Sequence, residues 1–330
     1  MNILLTGANG YIGQALTERL CSMQNLPGHG AIDRIVLCDI AFDKPPADPR
    51  VYCLAGNIAD PATLATAMDP KPNVVFHLAS IASGRAELAF EQGLETNLLA
   101  PIQLLEHLRR QGNCPTVVFT SSIAVFGAPL PDVINDETPL APALSYGVHK
   151  QAMEILLADY TRRGHINGRA VRLPAIVPRP PASNGAWSLF SSDLIRSLLH
   201  SQPCTMPVSP DATLWLMSLQ CCVSNLLHAA ALGAQPAGDR IVWTLPALRA
   251  SIAEIVAAFD ARTDGASSPL VSYAPKPEIE AQFGRLPPLY TPAADKVGFQ
   301  DDASLDNLID RACSNAQALQ HPSSAIQTHN

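Results

Sequence analysis

The chain has 330 residues, of which 47% are hydrophobic and 15% charged, and Lys+Arg 22 against Asp+Glu 29 leave a net charge of −7. Such a chain is too apolar and too weakly charged to be disordered, and too long for one module of ~150 residues, so it predicts two lobes or one large α/β domain. It has no basic run, which argues against a general nucleic-acid or anionic-membrane surface, and an anionic ligand must be held by a few locally placed cations.

Asn2–Thr6 (NILLT) reads as a fully apolar strand, followed by glycines and a helix over Tyr11–Met23. Ile35–Asp39 is a second strand that ends in an acid. Val51–Leu54 is a third, followed by Asn57-Ile58 and a helix opening at Pro61. Val74–Leu78 is a fourth strand, ahead of a helix over Glu91–Arg110. Thr116–Thr120 is a fifth, Tyr146–Arg163 is a strongly periodic helix, and Arg169–Leu173 is a sixth strand. Near-continuous apolar strands separated by helices predict an α/β fold, a parallel sheet covered on both faces and doubly wound by right-handed crossovers.

Pro174–Pro181 (PAIVPRPP) changes the texture, because its four prolines cannot continue a helix and predict a stiff, extended connection. Beyond it, helices are expected near Trp187–His200, Gln220–Leu232, Ile252–Asp260 and Ser304–Arg311, with a polar, frayed tail from about Ala316. The expected organisation is a cofactor-binding domain over 1–173 and a smaller substrate-covering lobe over 174–315, some segments of which return to the sheet. A tail follows over 316–330.

The eight cysteines show no C-x-x-C pair and no zinc-like spacing, and the adjacent Cys221–Cys222 pair sits in an apolar, helix-like stretch, so they read as core packing. No run of ~18 apolar residues occurs, and the first residues lack a basic, signal-like segment. The expectation is a soluble, reduced, cytoplasmic protein.

Gly7-x-x-Gly10-x-x-Gly13 follows the first strand and opens a helix. Glycines there let the backbone turn sharply and approach a pyrophosphate, which the N–H groups of the helix N-terminus attract. Asp39 ends the second strand, where a carboxylate accepts both adenosine ribose hydroxyls and repels a 2′-phosphate. Ile40-Ala41-Phe42 offers no cation for such a phosphate, so NAD is expected over NADP in a Rossmann-type domain.

Tyr146 and Lys150 stand at i and i+4 at the start of a helix and share one face, while Thr120-Ser121-Ser122 ends the fifth strand upstream. A phenol with a pKa of ~10 is a poor base at neutral pH, and a nearby ammonium favours the phenolate. A serine at the facing strand end can orient a substrate hydroxyl. His77 reads as a core imidazole, His149 lies off the Tyr146–Lys150 face, and no His/Asp/Glu cluster points to a metal.

TGANGYIG, Asp39, FHLAS (Phe76–Ser80), Asn97 in ETNLLAP, TSSIAVFG and YGVHK together resemble the extended short-chain dehydrogenases/reductases, the NAD-dependent epimerase/dehydratase family. The resemblance implies Ser122, Tyr146 and Lys150 as the catalytic set. Around the dinucleotide it implies Gly7, Gly10, Tyr11, Ile12, Gly13 and Asp39, with Asn57 and Ile58 near the adenine. Leu78, Ala79, Asn97 and Pro174 would serve the ribose and nicotinamide end, together with Tyr146 and Lys150. Most members carry an acid where Asn57 stands. A narrower resemblance spans nearly the whole chain, through SYGVHKQAMEILLADY, SLFSSDLIR, LWLMSLQCCVSNLLHAA and VGFQDDASLDNLI, and is to the D-erythronate dehydrogenases. Departures are Pro178-Arg179-Pro180-Pro181, where that group has Gly, Ser197 after Arg196, where it has Glu, and His149.

This resemblance implies NAD-dependent oxidation of the C2 hydroxyl of D-erythronate, a small anionic sugar acid, by hydride transfer with Tyr146 as base. The alternatives are another sugar-acid, uronate or L-threonine dehydrogenase, a nucleotide-sugar epimerase or dehydratase, or a non-catalytic NAD(H)-sensing protein. The substrate carboxylate needs a partner. Arg85, Arg179 and Arg196 are candidates, and Arg196 is preferred because it lies in the region that must cover the cofactor. Ser80, Ser121, Ser122 and Asn184 are candidate hydroxyl partners. The helices Glu91–Arg110 and Tyr146–Arg163 are expected to form a homodimer through a four-helix contact.

Overall fold

A computed structural model describes residues 1–127, 129–181, 189–233 and 240–320. Six strands of the first half alternate with helices: β1 Asn2–Thr6, α1 Tyr11–Cys21, β2 Arg34–Asp39, β3 Val51–Ala55, α2 Pro61–Ala67, β4 Val74–His77, α3 Ser83–Leu88, α4 Phe90–Leu94, α5 Ala100–Gln111, β5 Thr116–Ser122, α6 Ser145–Arg162 and β6 Asn167–Leu173. The second half runs through β7 Ala175–Val177, α7 Phe190–Leu199, β8 Cys204–Met206, β9 Thr213–Ser218, α8 Leu219–Ala231, β10 Val242–Thr244, β11 Leu248–Ser251, α9 Ile252–Asp260, β12 Val271–Tyr273, α10 Pro277–Phe283, α11 Pro292–Lys296 and α12 Leu305–Gln320.

The main sheet has seven parallel strands in the order β10-β6-β5-β4-β1-β2-β3. The chain starts at β1, winds out to β3, then returns across β1 to β4, β5 and β6. This doubly wound order opens a crevice at the carboxyl ends of the strands, where the direction reverses between β1 and β4. Both faces are covered, which is why β1 and β4 have apolar centres and the side chains of Ile3, Leu4, Leu5, Val74, Val75 and Phe76 are fully enclosed.

The run expected as one helix over Glu91–Arg110 is interrupted. Between α4 and α5 the residues Glu95–Leu99 form a π-helical turn, closed by the Ala100 N–H on the Glu95 carbonyl. Pro101 has no N–H to give to the Asn97 carbonyl, so the ordinary ladder fails at this point.

Two expectations for the second half are corrected. Pro174–Pro181 is not merely an extended connection, since Ala175–Val177 pairs with β9, which also pairs antiparallel with β11. The last helix continues to Gln320 instead of stopping near Arg311, so the chain is still helical at 316–320, where fraying was expected; 321–330 lie outside the described residues. Val242–Thr244 was not foreseen as a strand and extends the main sheet beside β6.

Helix α8 and β10 join the first-half core. Cys222, Leu226, Ala229 and Trp243 are buried in one cluster with Leu16, Leu20 and Val171. A separate cluster is built from α7, β9, α9 and α12 of the second half. All eight cysteines are free thiols, with Cys38, Cys221 and Cys222 buried.

Candidate active site

The turn from β1 to α1 crosses the end of β4 at very close range. Gly7 has φ +71°, and a Cβ there would lie 2.6 Å from the Ala79 nitrogen. A Cβ on Gly13 would lie 2.1 Å from the Gly7 carbonyl oxygen, so α1 can pack on its own loop only without a side chain at that position. Gly10 is the N-cap of α1 and leaves the first N–H groups without a side-chain partner. A cleft of ≈ 680 Å³ opens above this turn, and its lining includes Gly7, Gly10, Asp39, Asn57, Ile58 and Ala79.

Within the cleft, Asp39 accepts from the Asn9 N–H (2.7 Å) and the Ile40 N–H (2.7 Å), so its carboxylate is fixed at the end of β2. Asn57 uses its side-chain oxygen on the Ala59 N–H (3.0 Å). A glycine turn that any side chain would fill, an open helix end and a fixed acid at the next strand end together fit a dinucleotide with free ribose hydroxyls.

Not every residue expected around the dinucleotide lines the cleft. Ile12 packs into the core. Asn97, in the π-helical turn, is buried and braces the loop after β4, accepting from the Ile81 N–H (2.7 Å) and donating to the Ile81 carbonyl (3.0 Å). Tyr11 also packs on the core, and its buried hydroxyl has no hydrogen-bond partner.

A second cavity of ≈ 180 Å³ adjoins the cleft across Ser80–Ser83. Its lining includes Ser122, Tyr146, Pro174, Arg179, Ser192 and Trp215. Tyr146 lies in the first turn of α6. Burial pushes its phenol up, while the Arg179 guanidinium and hydrogen bonds from Ser80 and Ser122 pull it down. Lys150 follows one turn later, buried, donating from Nζ to the Thr120 carbonyl (2.7 Å) and lying 5.4 Å from the centre of the Tyr146 ring. Burial pushes the Lys150 ammonium down to about 7, against the attraction of Glu154. Ser122 and Tyr146 therefore line this cavity, Lys150 is buried behind the phenol, and Ser80, from the lining of the larger cleft, hydrogen-bonds the phenol.

Other expectations resolve differently. Ser121, the residue before Ser122, faces the opposite side of β5 and donates to Glu154 Oε1 (2.5 Å), so it is not in the cavity lining. Arg196, the preferred carboxylate partner, is also absent from the lining. Its guanidinium is tied to Asp193 (2.5 Å) and to the Arg179 carbonyl (2.7 Å), because α7 turns it back towards β7. Arg179 is the one charged side chain lining the cavity among the described residues. Arg85 is exposed and lines the mouth of the dinucleotide cleft, and Asn184 lies outside the described residues.

His77 is buried, hydrogen-bonded to Thr6 Oγ1 (2.8 Å) and stacked on Phe119, and burial pushes its imidazole down to about 3. Sequence reading missed Trp215, which comes from β9 in the covering lobe and is fixed by its Nε1 bond to the Pro287 carbonyl (2.7 Å). No local pattern marks that residue. Among the described residues no group of three His, Cys, Asp or Glu could hold a metal ion, and no described helix is long and apolar enough to cross a membrane.

Residues 3–213 match the NAD dependent epimerase/dehydratase family. The D-erythronate dehydrogenase of Cupriavidus necator is 39% identical over 313 residues, covering 94% of this chain and 97% of its own. The D-erythronate dehydrogenase of Haemophilus influenzae is 36% identical over 257 residues, covering 78% and 80%. Among solved structures, a nucleoside-diphosphate-sugar epimerase from Agrobacterium tumefaciens superposes with a TM-score of 0.90 at 33% identity, covering 96% of this chain and 95% of that one. The chain belongs to the NAD-dependent epimerase/dehydratase family, and its cofactor is NAD.

The buried ammonium has a pH signature. Unfolded, Lys150 titrates near ~10.4; folded, near 7. Between those values the unfolded chain binds more protons, so this group's cost to stability is full below pH ~7 and fades towards pH ~10. Lys150→Met in the NAD-free protein should therefore raise Tm more at pH 6.5 than at pH 9.5. Thermal unfolding of both proteins across that range measures it, and a gain that grows with pH would contradict the assignment.

Proposed function

We propose that this NAD-dependent oxidoreductase oxidises the C2 hydroxyl of a small sugar acid, D-erythronate, to the 2-oxo acid. The observation that carries the reading is the wall of the smaller cavity. There the Tyr146 phenol, held by Ser80 and Ser122 and backed by Lys150, faces the cavity that Arg179 also lines. The near full-length similarity to two D-erythronate dehydrogenases supports the choice of substrate.

When bound, NAD supplies the nicotinamide that takes up the C2 hydride. Tyr146 receives the C2 hydroxyl proton on its phenolate oxygen. Lys150 stabilises that phenolate from behind, and Ser122 and Ser80 orient the hydroxyl at hydrogen-bonding range. Arg179 holds the carboxylate, a role for which a planar guanidinium is suited. Arg196 acts one step removed, through its bond to the Arg179 carbonyl.

A nucleotide-sugar epimerase reading fits less well. Cavities for drug-sized ligands run from ~300 Å³ upward, whereas this one measures ≈ 180 Å³ with Arg179 as its one lining cation among the described residues.

The reading includes a homodimer. Leu99, Val148 and Ile155 are exposed apolar side chains on the segments expected to pair, and Leu88 and Phe90, just before the first of them, are exposed as well.

Tyr146→Phe should lower kcat by ~10³-fold or more while the Kd for NAD stays within about threefold. NADH formation from D-erythronate at 340 nm reads the first and calorimetry the second, and retained turnover would exclude Tyr146 as base. Arg179→Met should raise KM for the acid by ~100-fold with a much smaller change in kcat, and Arg196→Met should do so by less. Equal effects at the two arginines would return the carboxylate to Arg196. Sedimentation should give a mass twice 35.1 kDa, falling towards the monomer in an Ile155→Lys/Leu99→Lys variant.

A further inference from the structure

We propose that Glu154 is a positioning residue for the Tyr146–Lys150 pair: its buried carboxylate, pinned by Arg172 and Ser121, holds Lys150 as a cation in register behind the phenol. The inference rests on the reading of Tyr146 as base and extends it to groups that touch neither substrate nor cofactor.

The geometry is a stripe on α6 laid against three consecutive residues of β5. Tyr146, Lys150 and Glu154 stand at i, i+4 and i+8, so they share one side of the helix. Opposite them, Ser122 bonds the phenol, the Thr120 carbonyl accepts from Lys150 Nζ (2.7 Å), and Ser121 Oγ donates to Glu154 Oε1 (2.5 Å). The helix therefore docks on the strand through one polar contact per turn. Glu154 is only 4% exposed. Arg172 on β6 closes the pair from behind, with Nε 2.9 Å from Oε1 and Nη2 2.8 Å from Oε2. Arg172 is itself fixed over the Phe126 ring, and Phe126 packs edge-on against Trp215. A buried carboxylate with a two-pronged counter-ion is a costly feature, and one that does no more than pin a helix could be replaced by apolar packing.

The charges around the lysine single out Glu154. On α6 the neighbours are Tyr146, His149 and Glu154. From β4 comes His77, neutral because it is buried, and from β5 come only the Thr120 carbonyl and the Phe119 ring at 4.8 Å. Arg179 faces the phenol from beyond β7, and Arg172 on β6 is held on Glu154. Among the described residues Glu154 is thus the one carboxylate whose attraction opposes the desolvation of Lys150. Without that attraction the ammonium gives up its proton more readily, and the phenolate loses the cation that favours it.

Glu154→Gln keeps the shape and removes the charge. It should move the midpoint of the rise in kcat/KM with pH upward by ~0.5–1 unit, lowering the rate ~3–10-fold at pH 7 and recovering it near pH 10. Ser121→Ala, which removes a pin and leaves the charge, should keep the wild-type midpoint. A uniform loss at every pH with an unmoved midpoint in Glu154→Gln would make Glu154 merely structural and overturn the proposal. If that variant does not unfold cooperatively, Glu154→Gln/Arg172→Gln removes both buried charges, and the same midpoint decides. Turnover retained in Tyr146→Phe would instead overturn the identity of the base, so the two failures are distinct.

Discussion

An ammonium buried under the carboxyl end of a parallel sheet is the constraint on which the rest of this site depends. Lys150 is 2% exposed, and desolvating a charge of this kind costs several kcal/mol unless dipoles and counter-charges surround it. Every neighbour can be understood from that cost. The Thr120 carbonyl and the faces of Phe119 and Tyr146 supply negative potential. Glu154 supplies a full charge, and Arg172 keeps that charge from being stranded in turn. The result is a buried cation held beside the phenol whose ionised form it favours. Stability is sacrificed there in favour of chemistry, as at other sites built from perturbed groups.

The fold brings the two cavities together through a topological accident of the doubly wound sheet. Reversal between β1 and β4 opens the crevice, and the loop after β4 carries Leu78 and Ala79 over the glycine turn and Ser80 to the phenol. Asn97 holds that loop from the π-helical turn with a bond to each backbone group of Ile81. Pro101, in the next turn, has no N–H for the Asn97 carbonyl, and the π-helical turn sits at that gap. In the proposed reading one short loop therefore sets both where the dinucleotide lies and where the hydroxyl must point.

Much of this was legible in the residues. Apolar runs and glycine punctuation fixed the first six strands within a residue or two, because parallel strands buried on both faces leave an unmistakable signature. The glycine turn, Asp39 and the i, i+4 pair Tyr146–Lys150 are local patterns, and they lie between β1 and α1, at the end of β2 and at the start of α6, as the sequence predicts. What was not legible depends on contacts distant in sequence. Val242–Thr244 is three residues long, too short for periodicity, and is a strand only because β6 offers an edge. Trp215 enters the cavity from β9 by tertiary packing alone. Ser121 reads as a twin of Ser122, yet alternation along the strand sends it to the opposite face, towards Glu154.

The arginines show why residue type and region do not suffice to place a charge. Arg196 stands on the helix that covers the site, and an acidic net charge makes any cation there attractive as an anion holder. Helical spacing, however, puts Asp193 three residues before it, within range of its guanidinium. A cation already paired at i−3 gains less from a substrate carboxylate than one without a carboxylate partner. Arg179, fixed among prolines by its own Nε bond to the Ile176 carbonyl (3.2 Å), shows no such ion pair among the described residues, and it is the one whose field reaches both Tyr11 and Tyr146. In a chain of net charge −7, the proposed reading gives the selectivity for an anion to Arg179, which has no ion pair among the described residues, because carboxylates at the surface are screened by water and salt and an enclosed cavity is screened much less.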